Sequence, residues 1–220
     1  MFTRIFIVMR FNRAPARQRD GAKSSCMLEF METYILGGKP MELIDIVDEN
    51  GIPTGGTIDR TIAHRTGVRH RTTHIWIVRK QEERIQILLQ KRAKYKDSFP
   101  GCYDISSAGH IPSGVDFVES GLRELQEELS IGISEDELIE CGLHCTFTEN
   151  EFHGIPYVDN QVAKVFLLWK DIEIEDMVLQ EEEIESVMWM DFAECKEAVR
   201  NHTIPTCIDI AELELLEKKL

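Results

Sequence analysis

Between Gly109 and Ile131 the chain reads GHIPSGVDFVESGLRELQEELSI, and no other stretch limits the fold as tightly. Val118, Leu122, Leu125 and Leu129 recur at steps of four, three and four, which is one apolar stripe of an α-helix. At about 100° per residue, Glu124, Glu127 and Glu128 share a second face, centred roughly 150° from that stripe. Carboxylates crowded there repel, each like-charged pair costing about 0.2–0.5 kcal/mol. A divalent cation would remove the repulsion, because carboxylate oxygens are hard ligands suited to Mg²⁺ or Mn²⁺, and Mg²⁺ is often shared between carboxylates, water and substrate phosphates. A bare ExxEE on a helix is more often a solvated acidic face, so its flanks decide.

Those flanks are specific. Gly109 stands fourteen residues before Arg123, and Arg123-Glu124-Leu125 leads into Glu127-Glu128 and Ile131. The stretch resembles the Nudix box, G-x5-E-x7-R-E-U-x-E-E-x-G-U with U aliphatic, at Gly109, Arg123, Glu124, Leu125, Glu127, Glu128 and Ile131. Two positions depart: Val115 falls on the first glutamate of the box and Ser130 on its last glycine. In the family that glutamate holds the box arginine. Glu119, four residues before Arg123, and Asp116, beside Val115, are the acids expected to replace it.

The chain of 220 residues suits one ordinary domain with decorations. Residues 1–40 carry seven basic and three acidic side chains, whereas the remainder is strongly acidic. We expect a poorly ordered N-terminal extension over 1–40 and a single domain over 41–220, although an Arg-rich start also suits an organelle transit peptide. A net charge of −14 disfavours nucleic acid as a partner. No apolar run approaches the ~20 residues of a membrane span. The six cysteines include no CxxC pair and read as reduced thiols of a cytoplasmic protein. Cys102, close to the box, is expected to pack rather than react.

Strands are expected at Glu42 to Asp48, Thr57 to Asp59, Thr73 to Val78 and Ile85 to Gln90, the last two forming a hairpin. Tyr103 to Ser106 is a further short strand ahead of the box helix. Ser134 with Glu137 three residues later is a capping box for a short helix to Ile139. Leu143 to Thr148 and Gln161 to Lys170 read as strands around a polar loop, Glu149 to Asn160. A last strand at Ile184 to Met190 precedes helices at Phe192 to Asn201 and Ile208 to Lys219. The expected fold is α/β (α+β), a Nudix-like mixed β-sheet sandwiched between helices.

From about Met41 to Trp189 the chain also resembles the Nudix branch that contains type I isopentenyl-diphosphate isomerase. The residues that carry this are Gly51-Ile52-Pro53-Thr54-Gly55, Ala63-His64, His70, Gln90-Lys91-Arg92, Phe99-Pro100-Gly101 and Ser106-Ser107-Ala108-Gly109-His110. The resemblance implies that His64, His70 and His110 ligate a second metal and that Arg92 and Lys96 hold a diphosphate. Isomerisation needs a cysteine and a glutamate as acid and base. Those positions are Ala108 and Gln161, and neither exchanges a proton.

The sequence therefore points to metal-dependent hydrolysis of a diphosphate linkage in a nucleoside diphosphate joined to a group X. Glu124, Glu127 and Glu128, with the Gly109 carbonyl, would hold Mg²⁺ or Mn²⁺, and Arg123 would orient them. The general base stays open among Glu127, Glu128 and Glu181 to Glu183. Phe152, Tyr157 and Trp169 are candidates to stack on a base, but suit a core as well. The alternatives are the isomerase itself and a non-catalytic module that binds a phosphorylated ligand. A homodimer is expected from the resemblance.

Overall fold

The computed structural model describes residues 41–220, so the expected extension over 1–40 lies outside the described residues. The first elements form a small antiparallel pair, β1 (Leu43–Val47) and β2 (Pro53–Asp59). Helix α1 (Arg60–Thr66) follows at once, because the Asp59 carboxylate accepts from the backbone N–H groups of Thr61 and Ile62 and so starts it. Gly67, at φ 70°, ends it in the left-handed conformation that glycine adopts without strain. Seven residues with no apolar period gave no helical signal in the sequence.

The main sheet has seven strands. Its path runs β5 (Tyr103–Asp104), β4 (Arg84–Arg92), β3 (His70–Gln81), β8 (Ile155–Trp169), β7 (Leu138–Phe152), with β6 (Ser107–His110) paired to β3 and β9 (Ile184–Asp191) to β4. Among the described residues only β3 and β8 pair in parallel, and the other strand pairings of the sheet are antiparallel. The sheet is mixed, as expected. Strand β3 is buried without interruption from His70 to Val78, the signature of a central strand covered on both faces.

The two faces carry separate cores. Ile75, Ile77 and Leu88 meet Leu125 and Leu129 of α2 (Phe117–Leu129) on one side. On the other, Trp76, Val78, Ile87 and Leu89 pack against α3 (Phe192–Arg200) and α4 (Ile210–Glu217) through Phe192, Val199, Leu213 and Leu216. The apolar stripe of α2 is thus what fixes the helix to the sheet. Leu125 and Leu129 are fully buried, while Val118 and Leu122 are half-buried at its edge.

Two expectations change. Glu149 to Asn160 is not a loop but the outer half of a long hairpin, in register from Leu138↔Leu168 to Phe152↔Ile155 and turned at His153-Gly154, both with positive φ. That segment extends past the core, so neither face shows the alternation that marks a half-buried strand. The capping box at Ser134 is present, with Glu137 Oε1 accepting from the Ser134 backbone N–H at 2.9 Å, but it caps only a single 3₁₀ turn, Glu135–Glu137, before β7 begins.

Candidate active site

Helix α2 starts at Asp116, whose carboxylate accepts from the Glu119 N–H at 2.8 Å. It ends at Ser130, which takes the left-handed conformation (φ 55°) that the box ordinarily gives to glycine. The departure at Ser130 is therefore accommodated at a local strain cost of about 1 kcal/mol.

Between these ends the helix turns its three acids toward β6. Glu128 is buried, accepting from the Ser107 hydroxyl at 2.7 Å and the Ala108 N–H at 3.2 Å. Burial pushes its carboxyl up to about 8; the Ser107 hydroxyl opposes the rise and nearby Glu124 adds to it. Glu124 lies directly over Gly109: a Cβ at that glycine would stand 2.2 Å from the Glu124 Cδ. Burial raises Glu124 to about 6. Glu127 is more exposed, at the open end of the cluster.

Arg123 donates to Glu124 Oε1 at 2.7 Å and to Glu127 Oε2 at 3.2 Å. It reaches neither Glu119 nor Asp116, which corrects the expectation for the Val115 departure. Asp116 is committed to capping the helix, and the carboxylates ahead of Arg123 attract it more than the lone Glu119 behind. The loop that carries Val115 is held by residues outside the box. Arg71 donates to the Val115 carbonyl and to buried Asp45, each at 2.9 Å, and Asp45 also accepts from Ser113 at 2.7 Å and the Gly114 N–H at 3.1 Å.

These acids line a cleft of about 440 Å³. Arg92 and Lys96 line it too, each already paired. Arg92 donates to Asp104 at 2.8 Å and to the Ser98 carbonyl at 3.0 Å, and Lys96 is ion-paired with Glu183. Burial, with Arg92 nearby, brings Lys96 down to about 8. Of the aromatic candidates, Tyr157 faces the cleft, Phe152 packs on Tyr157 and Phe99, and Trp169 is exposed away from it. Cys102 is half-buried and lies off the cleft wall, as expected of a packing residue.

The three histidines converge. One ring nitrogen from each of His64 in α1, His70 at the start of β3 and His110 at the end of β6 falls within a 4.8 Å cluster. Asp159 of β8 adds a carboxylate to the cluster. Its Oδ1 lies 3.8 Å from both His64 Nδ1 and His70 Nε2, and all three atoms are buried without a hydrogen-bond partner. The Val68 carbonyl, 3.0 Å from His70 Nδ1, fixes the tautomer that leaves Nε2 bare toward the cluster. Burial lowers His64 to about 3 and lowers His70 and His110 as well, so the rings are neutral, and it raises Asp159 to about 6. Neutral imidazoles beside an unpaired carboxylate form a donor set that fits a divalent transition metal.

Fold and cleft together define the class: an α+β domain in which one helix turns three carboxylates into a cleft, with a cluster of three imidazoles beside it that reaches the cleft through His110. Comparison with known proteins narrows this. The sequence profile of the NUDIX domain matches residues 68–206, and the chain belongs to the Nudix family. It is 36% identical over 143 residues to an uncharacterized Nudix hydrolase of Clostridium acetobutylicum, covering 65% of this chain and 66% of that one. To Nudix hydrolase 3 of Arabidopsis thaliana it is 35% identical over 158 residues, 70% of this chain and 20% of the plant protein. The match thus spans less than two thirds of either relative. Among solved structures, DR0079 from Deinococcus radiodurans superposes with a TM-score of 0.58 at 22% identity, covering 78% of this chain and 96% of that one, and shares the fold.

Because Glu124 rests on Gly109, a methyl there would push the carboxylate aside while leaving the strand intact. Gly109→Ala is expected to fold normally and to lose about 10²-fold in kcat. Steady-state kinetics beside a thermal melt would check this, and a fully active variant would mean that the position of Glu124 is immaterial.

Proposed function

We propose that the chain is a metal-dependent hydrolase of a diphosphate linkage, acting on a nucleoside diphosphate joined to a group X. The observation that carries this is Glu124 seated over Gly109 with Glu127 and Glu128 lining the same cleft, the carboxyls of Glu124 and Glu128 raised by burial. Such a cluster is costly as it stands and is relieved by a cation. The three acids and the Gly109 carbonyl would hold Mg²⁺ or Mn²⁺. Bound there, the ion supplies Lewis acidity toward a phosphoryl oxygen and toward water.

The chain's own residues do the rest. Arg123 fixes the orientation of Glu124 and Glu127 through its two hydrogen bonds. Glu128 is anchored to β6 and cannot swing away. Glu127, the most exposed of the three acids and held only through Arg123, takes the proton from the attacking water. Arg92 and Lys96 bind the second phosphate, exchanging part of their present pairing with Asp104 and Glu183 for it.

The histidine cluster supports the finer likeness to the isopentenyl-diphosphate isomerase branch, with His64, His70, His110 and Asp159 holding a second divalent ion. Hydrolysis is favoured over isomerisation, because the cleft presents the methyl of Ala108 and the amide of Gln161 where that branch has its cysteine and glutamate. His110→Ala is expected to lower the bound metal by one ion per chain, read by elemental analysis of protein loaded with Mn²⁺. Unchanged stoichiometry would remove the second site.

The reading is tested by screening nucleotides, dinucleotides and sugar nucleotides with Mg²⁺ and Mn²⁺. Metal-dependent release of phosphate or nucleoside monophosphate is the expected result. Silence across the panel would overturn it.

A further inference from the structure

Past Ala108 the cleft continues to an inner end that no part of the hydrolytic scheme uses. Its walls come from β3, β7, β8 and the start of α4, and the side chains that matter are His74, His144, Thr146, Gln161, Asp209 and Glu212. Each polar type appears: imidazole, carboxylate, hydroxyl and amide. Resting on the hydrolase reading above, we propose that this inner end is a subsite for the hydroxyl groups of a pentose attached to the diphosphate.

Two histidine–carboxylate pairs build it. His74 Nδ1 lies 3.0 Å from both oxygens of Glu212, and the Trp76 indole donates to Glu212 Oε1 at 2.6 Å. The other ring nitrogen of His74, Nε2, lies 3.2 Å from the Thr72 hydroxyl. Asp209 caps α4 by accepting from the Ala211 N–H at 3.0 Å. Its second oxygen stands 3.2 Å from His144 Nε2, out of alignment for a hydrogen bond. His144 is only 9% exposed, and Nε2 has no hydrogen-bond partner. A buried ring nitrogen left unpaired on the wall of a cleft marks a place where a ligand completes the bonding.

The chemistry of that ligand follows by elimination. A hydrocarbon chain would strip water from these groups and return no hydrogen bond, so an isoprenoid is the wrong occupant. A cationic group would find carboxylates already engaged by imidazole, indole and a helix start. A hydroxyl both donates and accepts, so vicinal hydroxyls match a wall that offers a ring nitrogen at His144, a hydroxyl at Thr146 and an amide at Gln161.

The test uses the full chain with Mg²⁺, the four common nucleoside diphosphates, their 2′,3′-dideoxy analogues and isopentenyl diphosphate, followed by phosphate release and by ligand-induced thermal shift. Removing both hydroxyls is expected to lower kcat/KM at least about tenfold, mainly through KM, with isopentenyl diphosphate poorer still. His144→Leu should shrink that discrimination to less than about threefold, and Thr146→Val, on the same wall, serves if the first variant does not fold. Equal turnover with and without the hydroxyls, or full discrimination retained in the variant, would overturn the subsite and leave hydrolysis standing. No turnover, with stabilisation that still tracks the hydroxyls, would uphold the subsite and remove hydrolysis. No turnover and no difference in stabilisation would remove both.

Discussion

Glu124→Gln is expected to lower kcat by about 10³-fold without lowering the melting temperature. The amide keeps the shape of the side chain over Gly109 and can still accept from Arg123, so packing is preserved. It loses the charge that a cation needs. Because Glu124 is itself raised to about 6 by burial beside other acids, removing its charge also relieves repulsion. A variant at least as stable as wild type and nearly inactive would separate the role of this residue from folding. Glu127→Gln and Glu128→Gln should behave alike, and unchanged turnover in all three would remove α2 from the mechanism.

The largest expected effect on stability lies on the opposite face of the sheet. Glu212 is 2% exposed and is the shared partner of the His74 ring and the Trp76 indole. Glu212→Ala leaves a buried imidazole and an indole N–H unpaired, and we expect a loss of about 3–5 kcal/mol, visible as a melting temperature lower by about 10 °C. Glu212→Gln, which keeps an acceptor for the indole, should lose less.

The same pair sets a pH dependence. Burial alone would lower His74, but the Glu212 carboxylate overrides it and holds the ring above its ordinary 6.5. A folded-state value raised in this way contributes stability that is complete below 6.5 and is lost as pH rises through the folded value. Denaturation followed from pH 6 to 9 in the presence of a chelator should show this contribution as the difference between wild type and Glu212→Gln, because the lowered His64, His70, His110 and Lys96 act in the opposite direction in both proteins. That difference should shrink as pH rises. Glu128, raised to about 8, acts in the same direction between 4.5 and 8, and is common to both proteins in that comparison.

What the sequence shows is what short-range spacing controls. The stripe through Leu125 and Leu129, the acids on α2, the β3–β4 hairpin and the Ser134 capping box all follow from residues within one or two turns of each other. The misses are long-range. Arg71 reaches Asp45 across 26 positions to secure the loop after β6, a contact that no spacing near Val115 reveals. Asp159 joins the histidine cluster only because β8 lies parallel to β3, in the register His70↔Gln161. Glu212 meets His74 across 138 positions, through a helix whose sequence periodicity gives no hint of a cleft. Helix α1 was too short to show a period, yet it delivers His64.

The central claim is that the acids of α2 and a divalent ion together direct water onto phosphorus. It is tested most directly by turnover of a nucleoside diphosphate in ¹⁸O-labelled water with Mg²⁺, with the products read by mass spectrometry. The expected result is one labelled oxygen in a released phosphate product, no labelled product when the ion is chelated, and labelled product formed about 10³-fold more slowly with Glu124→Gln. Turnover that proceeds with the ion removed, or products carrying no label, would contradict it.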